Sequence, residues 1–445
     1  MGKRSRGSNR RLRIGKVSVY LHHGTWWVYH REAGKPVRKK IGADRAEAER
    51  CAAQINAQLA QGAPTMLSFT PIGVAELRRQ FLDHHEHARG STLATVNRYR
   101  AATQHLENFV AQFPKPPLAH EVKPDQFAAY LRTLETSPNG HANTVKRRLR
   151  SKGVQFVLQT VRSLYHFAGK RRYLPPYADN LFAELPLDRF KVEDAKPVFV
   201  FDAVTELAFF RAASRWEFPI HFTLAKTALR INELTHLLLE DVDLDGGWIT
   251  VRNKPELGWR VKTGNGRRVP LLPEVVAVLR AMLGDRREGV VFLREGCQAE
   301  GPKLLGNQQF LIDELRLLLR NAGASVDRKE AQRLARGVWQ RAGAIPADRV
   351  RTSFCRLAIR TGHPESTCPK SWRHTFATLM QDANVDPLIR QIVMGHSPAS
   401  AGGLGMTAKY THSRGETVRV QIEQALRTWP ESLVLASWFA KGVAS

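Results

Sequence analysis

The sequence predicts a multidomain, mainly α chain that begins with a small three-stranded sheet plus helix and later includes a mixed α+β region. Three observations carry this. The 445 residues are enough for two or three domains at about 150 residues each. From residue 70 onward, most apolar positions recur at helical spacing. Period-two alternation is confined to residues 16–42 and to two short runs, GGWITVRN and RRVPLL. An apolar fraction of 43% permits a sizeable core.

In order along the chain, residues 1–13 form a basic arm with no acid. In KVSVYLHHGTWWVYHREAGKPVRKKIG, Val17, Val19 and Leu21 alternate, Gly24 and Gly34 mark turns, and PVRKKIG makes a third strand. DRAEAERCAAQINAQLAQG reads as a helix that ends at Gly62, and APTML as a linker. Ser91 is the expected N-cap of a helix containing Leu93, Val96, Tyr99, Leu106 and Phe109, and KPDQFAAYLRTLE is the next helix. NTVKRRLRSKGVQFVLQTVRSLYHFAGKRRYL reads as one long helix with a basic cluster of Lys146, Arg147, Arg148, Arg150 and Lys152. Such a run is commonly just a solvated face; in this chain it is a candidate DNA contact. The Pro-rich stretch 175–197 reads as an interdomain linker. Beyond it come helices, the two short strands, a long basic helical stretch over 296–365, and terminal helices.

The charge narrows the function. Lys and Arg number 68 against 41 Asp and Glu, a formal +27. A surplus of this size points to a polyanionic partner, because each neutralised phosphate releases counterions. Cys51, Cys297, Cys355 and Cys368 form no CxxC pair and no metal-spaced cluster, so neither a disulfide framework, a metal nor a cofactor is expected. No apolar run approaches the ~18 residues of a membrane span, and the basic N-terminus lacks the apolar stretch of a secretory signal. A cytoplasmic, nucleoid-associated protein with no membrane partner is the expectation.

Four local features bear on chemistry. In TALRINELTHL, Arg230 sits within an apolar helical segment and needs a partner, for which Glu233 is placed one turn on. In WRVKTGNGRRVPL, Lys262 precedes a Gly-rich turn. In CPKSWRHTFATLMQDANVDPLIRQIVMGHS, Asp386-Pro387 is a helix start, so the stretch folds as a helical hairpin that brings Arg373 and His396 together. Tyr410, in GMTAKYTH, follows the Gly- and Ala-rich run SPASAGGLG. Each feature has an ordinary structural explanation. Together, two Arg, a Lys, a His and a Tyr are what metal-free phosphoryl transfer on DNA requires: cations on the non-bridging oxygens, a proton donor for the leaving oxygen and a nucleophile.

These motifs resemble those of the tyrosine recombinase, or phage integrase, family. TALRINEL is similar to its first arginine box, VKTGNGRRVPL to its lysine hairpin, SWRHTFATLM to its second arginine box, and MGHS and KYTH to its last two motifs. The resemblance implies that Arg230 and Arg373 bind the scissile phosphate, Lys262 is the general acid, His396 hydrogen-bonds the phosphate and Tyr410 is the nucleophile. Lys370 stands where the family commonly has His. The interval from His396 to Tyr410 is longer than usual, and a helical insertion occupies about 324–365.

The implied domains are an arm-type DNA-binding domain (1–64), a helical core-binding domain (68–184), a linker (185–196), a catalytic domain (197–428) and a C-terminal tail (429–445). The implied partners are double-stranded DNA and three further copies of the chain on paired sites, with ETVRVQIEQALRTW as the segment that docks on a neighbour. An accessory DNA-bending protein is an open addition. The expected activity is site-specific recombination for integration or excision of a mobile element through a 3′-phosphotyrosine. A type IB topoisomerase and a catalytically silent DNA-binding relative are the alternatives.

Overall fold

Alternation in the first 42 residues becomes an antiparallel sheet, and the helical spacing beyond them becomes two helical assemblies. The computed structural model describes residues 11–32, 34–63, 65–67, 69–137, 145–175, 180–187, 192, 197–323, 325–396 and 414–442. The chain divides into two units, Met1–Lys196 and Pro197–Ser445.

In the first unit, β1 (Leu12–Ile14), β2 (Val17–His22), β3 (Thr25–Glu32) and β4 (Lys35–Gly42) lie in that order. The three expected strands are present, and β1 adds a fourth; Gly15, at φ 56°, makes the reversal into β2. Val17, Val19 and Val28 are fully buried against Ala48, Ala52 and Ile55 of α1 (Arg45–Ala60), which Asp44 caps through the Ala46 N–H. Strand alternation then puts Tyr20, Trp27 and Lys40, and likewise Tyr29 and Arg38, on the opposite face. The Arg11 and Arg38 guanidiniums lie 5.7 and 5.6 Å from the Tyr29 ring centre.

APTML is not a loose linker. Thr65 donates its N–H and hydroxyl to Glu32, at 2.8 and 2.6 Å, Met66 N–H donates to Gln58 at 2.7 Å, and Leu67 joins the sheet's core.

The helical part holds α2 (Val74–Asp83), α3 (Leu93–Val110), α4 (Pro124–Thr133) and α5 (Ser151–Lys170) around Leu77, Phe81, Leu106, Phe127, Val161 and Leu164. Thr92, not Ser91, caps α3, by accepting from the Thr95 N–H. The basic cluster is also not helical as expected. Arg147–Arg148 form a two-residue strand β6 paired with β5 (Glu135–Thr136), Arg150 is an N-cap, and of the five only Lys152 lies in α5. A helix starting at residue 143 would have stacked these cations on the positive end of its own dipole. Strand pairing and the Leu149 N–H to Leu134 carbonyl bond (2.9 Å) satisfy the backbone instead, and the five side chains are exposed.

The second unit contains α6 (Ala203–Ala212), α7 (Glu217–Thr227), α8 (Ile231–Leu234), the sheet β7 (Val242–Asp243), β8 (Trp248–Val251) and β9 (Arg267–Pro270), and α9 (Pro273–Leu283). These are followed by α10 (Gly296–Glu300), α11 (Gln308–Asn321), α12 (Arg328–Arg341), α13 (Ala347–Arg360), α14 (Lys370–Asp382) and α15 (Pro387–Met394). α16 (Gly415–Leu426) and α17 (Pro430–Ala440) complete the unit.

Trp372 centres the main core, stacked at 4.0 Å on Phe201 and at 5.3 Å on Phe210. Buried Lys226 ties α7 to α6 through Glu206 (2.5 Å) and to α17 through the Ser432 hydroxyl (2.9 Å). α13 belongs to this core through Val350, Phe354 and Leu357, whereas α11 and α12 build a satellite core with Leu238 and Leu257. Val418, Ile422, Ala425 and Leu426 of α16, within the segment ETVRVQIEQALRTW, are buried in the main core of their own unit. Among the described residues no helix is long and apolar enough to cross a membrane.

One buried network in this unit titrates. The Ser353 hydroxyl donates to Glu217 (2.8 Å), which leaves its oxygen to accept from His221 Nε2–H at 3.0 Å. His221 Nδ1 is then a bare lone pair in an apolar setting, and burial drives the imidazole's pKa down to about 4. The native state therefore binds this proton only below about pH 4, whereas an unfolded His binds it near 6.5. The associated stability is fully present above pH 6.5 and is lost as pH falls through that window, by about 3 kcal/mol. Denaturant titrations at several pH values should show a loss smaller in His221→Gln than in the wild type by about 3 kcal/mol, the remainder coming from other buried groups such as His236, whose pKa burial also drives down to about 4.

Candidate active site

The first wall of the site is built by a helix that ends abruptly. α7 stops at Ala228 in the left-handed region (φ 51°), and α8 restarts three residues later with Arg230 as its N-cap. Arg230 is therefore at a helix start, not inside an apolar helix as the sequence suggested. Glu233 is the partner expected for it. Its carboxylate accepts from Arg230 N–H (2.8 Å) and Arg230 Nη1 (2.8 Å).

The same carboxylate is gripped from its other side by Arg267 of β9, Nη1 at 3.0 Å and Nη2 at 2.7 Å. Sequence reasoning passed over Arg267. Strand parity could have found it: Arg267 shares a face with fully buried Val269, so an inward guanidinium needed a carboxylate, while Arg268 turns outward over Trp248, 4.6 Å from its ring centre.

The second wall is the α14–α15 hairpin. Stacked Trp372 fixes the first turn of α14 and thereby Arg373 beside it. Asn384, at φ 55°, turns the chain; the Asp386 carboxylate accepts from Leu388 N–H at 2.7 Å and Pro387 opens α15, as its sequence predicts. Gly395, at φ 64°, ends α15. A Cβ there would meet Arg267 Nη1 at 2.8 Å, so both conformation and space require glycine.

The walls meet through main-chain carbonyls. Arg230 Nη2 donates to Gly395 O (3.1 Å) and Arg267 Nε to Val393 O (2.7 Å). Arg373 Nη2 donates to Met394 O (2.8 Å) and lies 3.5 Å from His396 Nε2, and its Nη1 donates to Ala228 O. Arg230, Arg373 and His396 are thus brought together.

Lys262 is exposed in the connection between β8 and β9, and Lys370 is exposed at the start of α14. Among the described residues, no hydrogen bond or ion pair joins either to the three. Tyr410 lies outside the described residues. An open groove lined by Val198, Val200, His374, Arg390 and Gln391 runs past His396.

Cations outnumber anions here. Burial, reinforced by Arg230, drives the Arg373 guanidinium down to about 10, and among the described residues no carboxylate pairs with it. Burial alone would raise the Glu233 carboxyl, but hydrogen bonds and charge from Arg267 and Arg230 outweigh it and hold the group ionised below its ordinary range. His396 is pushed down by burial and then by Arg373, Arg230 and Arg267, so the imidazole is neutral at pH 7. His374 is lowered by burial, Lys370 and Arg373. The arrangement suits a bound anion that replaces the missing counter-charge.

Glu233→Ala would leave two largely buried guanidiniums facing one another. We expect the full chain's unfolding free energy to fall by about 3–5 kcal/mol, read from denaturant titration.

Residues 220–416 match the model of the phage integrase family. A relative, the tyrosine recombinase XerC of Pelobacter propionicus, is 26% identical over 190 residues, 43% of this chain; the chain spans about half the length of that relative, 45%. Among solved structures, the Tn1549 transposon integrase in complex with transposon right end DNA aligns with 80% of this chain and all of its own (17% identity, TM-score 0.46). A lambda integrase tetramer bound to a Holliday junction aligns with 88% of this chain and 96% of its own (13% identity, TM-score 0.47).

Proposed function

We propose, for a chain that belongs to the tyrosine recombinase (phage integrase) family, that it is a site-specific recombinase acting for a mobile element through a covalent 3′-phosphotyrosine. The observation that carries the reading is the convergence of Arg230, Arg373 and His396 on one point, with more cationic charge than Glu233 compensates. A DNA phosphate supplies the missing anion. The two guanidiniums hold its non-bridging oxygens and stabilise the charge that grows as the phosphorane forms. Neutral His396 adds a hydrogen bond to the same group.

Tyr410 is the nucleophile. Its oxygen bonds to phosphorus, the bond from phosphorus to the 5′ oxygen breaks, and the 5′ hydroxyl departs with a proton from Lys262. The phenolic proton passes to a neighbouring base or water, and the surrounding cations favour that ionisation. The phosphotyrosyl link conserves the phosphodiester energy for rejoining, so no nucleotide cofactor or metal is required. Lys370 contacts the phosphate in place of the family's usual His. Four copies of the chain act on two duplexes.

Two further surfaces suit duplex DNA. The sheet face opposite α1 interleaves half-buried Tyr20, Trp27 and Tyr29 with exposed Arg38 and Lys40, aromatic and basic groups that suit a duplex groove and its phosphates. Lys146, Arg147, Arg148, Arg150 and Lys152 supply phosphate contacts.

Half-site duplexes recovered from a randomised pool by covalent capture on the wild-type chain provide a substrate. Nicked versions should trap the wild type covalently and leave Tyr410→Phe free. Arg373→Ala should slow trapping by about 10²–10³, and Lys370→His should retain it. No capture by the wild type would sink the enzyme reading and favour a silent DNA-binding relative. Relaxation of supercoiled DNA without site preference would favour the topoisomerase.

A further inference from the structure

The lysine-bearing connection of this chain is not a bare hairpin. Residues 252–266 leave β8, fold through a short 3₁₀ turn (Pro255–Leu257) and return to β9 with Lys262 near the tip. Its base is closed by reciprocal main-chain bonds between Lys254 and Trp259, both at 3.1 Å, over the buried Lys254–Asp241 ion pair (2.7 Å). The Asn253 side chain bridges the arms, accepting from Val261 N–H (2.8 Å) and donating to Gly264 O (2.6 Å). Lys262 therefore follows directly on a residue whose backbone is fixed.

The satellite core seizes this closed base. Trp339 of α12, almost fully buried, donates its indole N–H to Leu257 O at 3.0 Å. Ala335, one turn earlier, approaches so closely that a Cβ on Gly258 would lie 2.9 Å from it. His236 lies stacked on Trp259 (5.1 Å, 13°) and edge-on to Trp339 (4.8 Å, 71°). His236 stands three residues after Glu233, in the turn that follows α8. The three rings thus join the arginine wall, the lysine connection and α12.

We infer that the α11–α12 module is a brace that holds Lys262 in register with Arg230 and Arg373, with Trp339 as its positioning residue. The inference rests on the proposed role of Lys262 as proton donor and goes beyond it in giving α11 and α12 a mechanical task. Trp339 touches no reacting atom and acts only through the Leu257–Trp259 base.

Two measurements on the full chain test it. Trp339→Phe keeps a ring beside His236 and deletes the indole donor. Hydrogen exchange of the amides of Leu257, Gly258, Trp259 and Gly264 should accelerate by about fivefold or more, while α14 stays unchanged. Unchanged exchange in this connection would overturn the brace.

The second measurement uses the captured duplexes with either oxygen or sulfur as the bridging 5′ atom. Sulfur departs as a thiolate and needs no proton, so loss of the donor is felt only with oxygen. Lys262→Ala should be slow on oxygen and restored on sulfur. Trp339→Phe and Gly258→Ala should show the same pattern, slower on oxygen by on the order of tenfold to a hundredfold. Equal slowing on both substrates would mean a general structural role and would overturn the inference while leaving the Lys262 reading intact. Failure of sulfur to restore Lys262→Ala would remove the proton-donor reading, and the brace with it.

Discussion

The candidate site depends on the carboxylate of Glu233. Both of its oxygens are used twice, by the two guanidiniums and by the backbone N–H of Arg230. The like charges of Arg230, Arg267 and Arg373 would otherwise repel across one short distance in a poorly solvated setting, where Coulomb energies are several times those in water. One buried anion holds Arg230 and Arg267 in place and leaves Arg373 short of a counter-charge. That imbalance, absent from a merely structural salt bridge, suits the arrangement to a bound anion.

From this centre the constraint spreads in two directions. Through Arg267 Nε it reaches the end of α15, so the hairpin that carries Arg373 and His396 is referenced to the sheet. Through α8 and His236 it reaches the aromatic contact with Trp259 and Trp339. Arg230, Arg267, Arg373 and His396 thus come from four separate stretches of sequence, yet each is tied to a neighbour by hydrogen bonding and not by chain proximity. Lys226, buried under the Phe210 and Phe222 rings, does the same for α17 on the far side of the core.

Legibility in the sequence followed the locality of the forces. The hairpin around Asn384 to Pro387 could be read because an N-cap and a proline act within a few residues, and the N-terminal strands because their alternation is regular. The pairing of Arg230 with Glu233 was equally local. Arg267 escaped because its partner is 34 positions away and its charge resembles that of Arg268 beside it. The basic cluster before α5 was misread because Lys and Arg favour helices individually, whereas a run of them at a helix start opposes the dipole. APTML looked like a linker because its anchors, Glu32 and Gln58, are supplied by other elements. The satellite core was invisible because its amphipathic helices gave no sign of which surface they would cover.

The guanidiniums of this site take four of their acceptors from peptide carbonyls, at Ala228, Val393, Met394 and Gly395. Such acceptors are indifferent to the side chain attached beside them. Drift in spelling at Val393 and Met394 among side chains of similar volume is therefore compatible with an unaltered cradle, whereas Ala228, buried and at φ 51°, is held by its own backbone conformation. An alignment of letters would underrate Val393 and Met394, and a variant library can exchange them for apolar residues of similar volume while leaving Gly395 and Ala228 untouched.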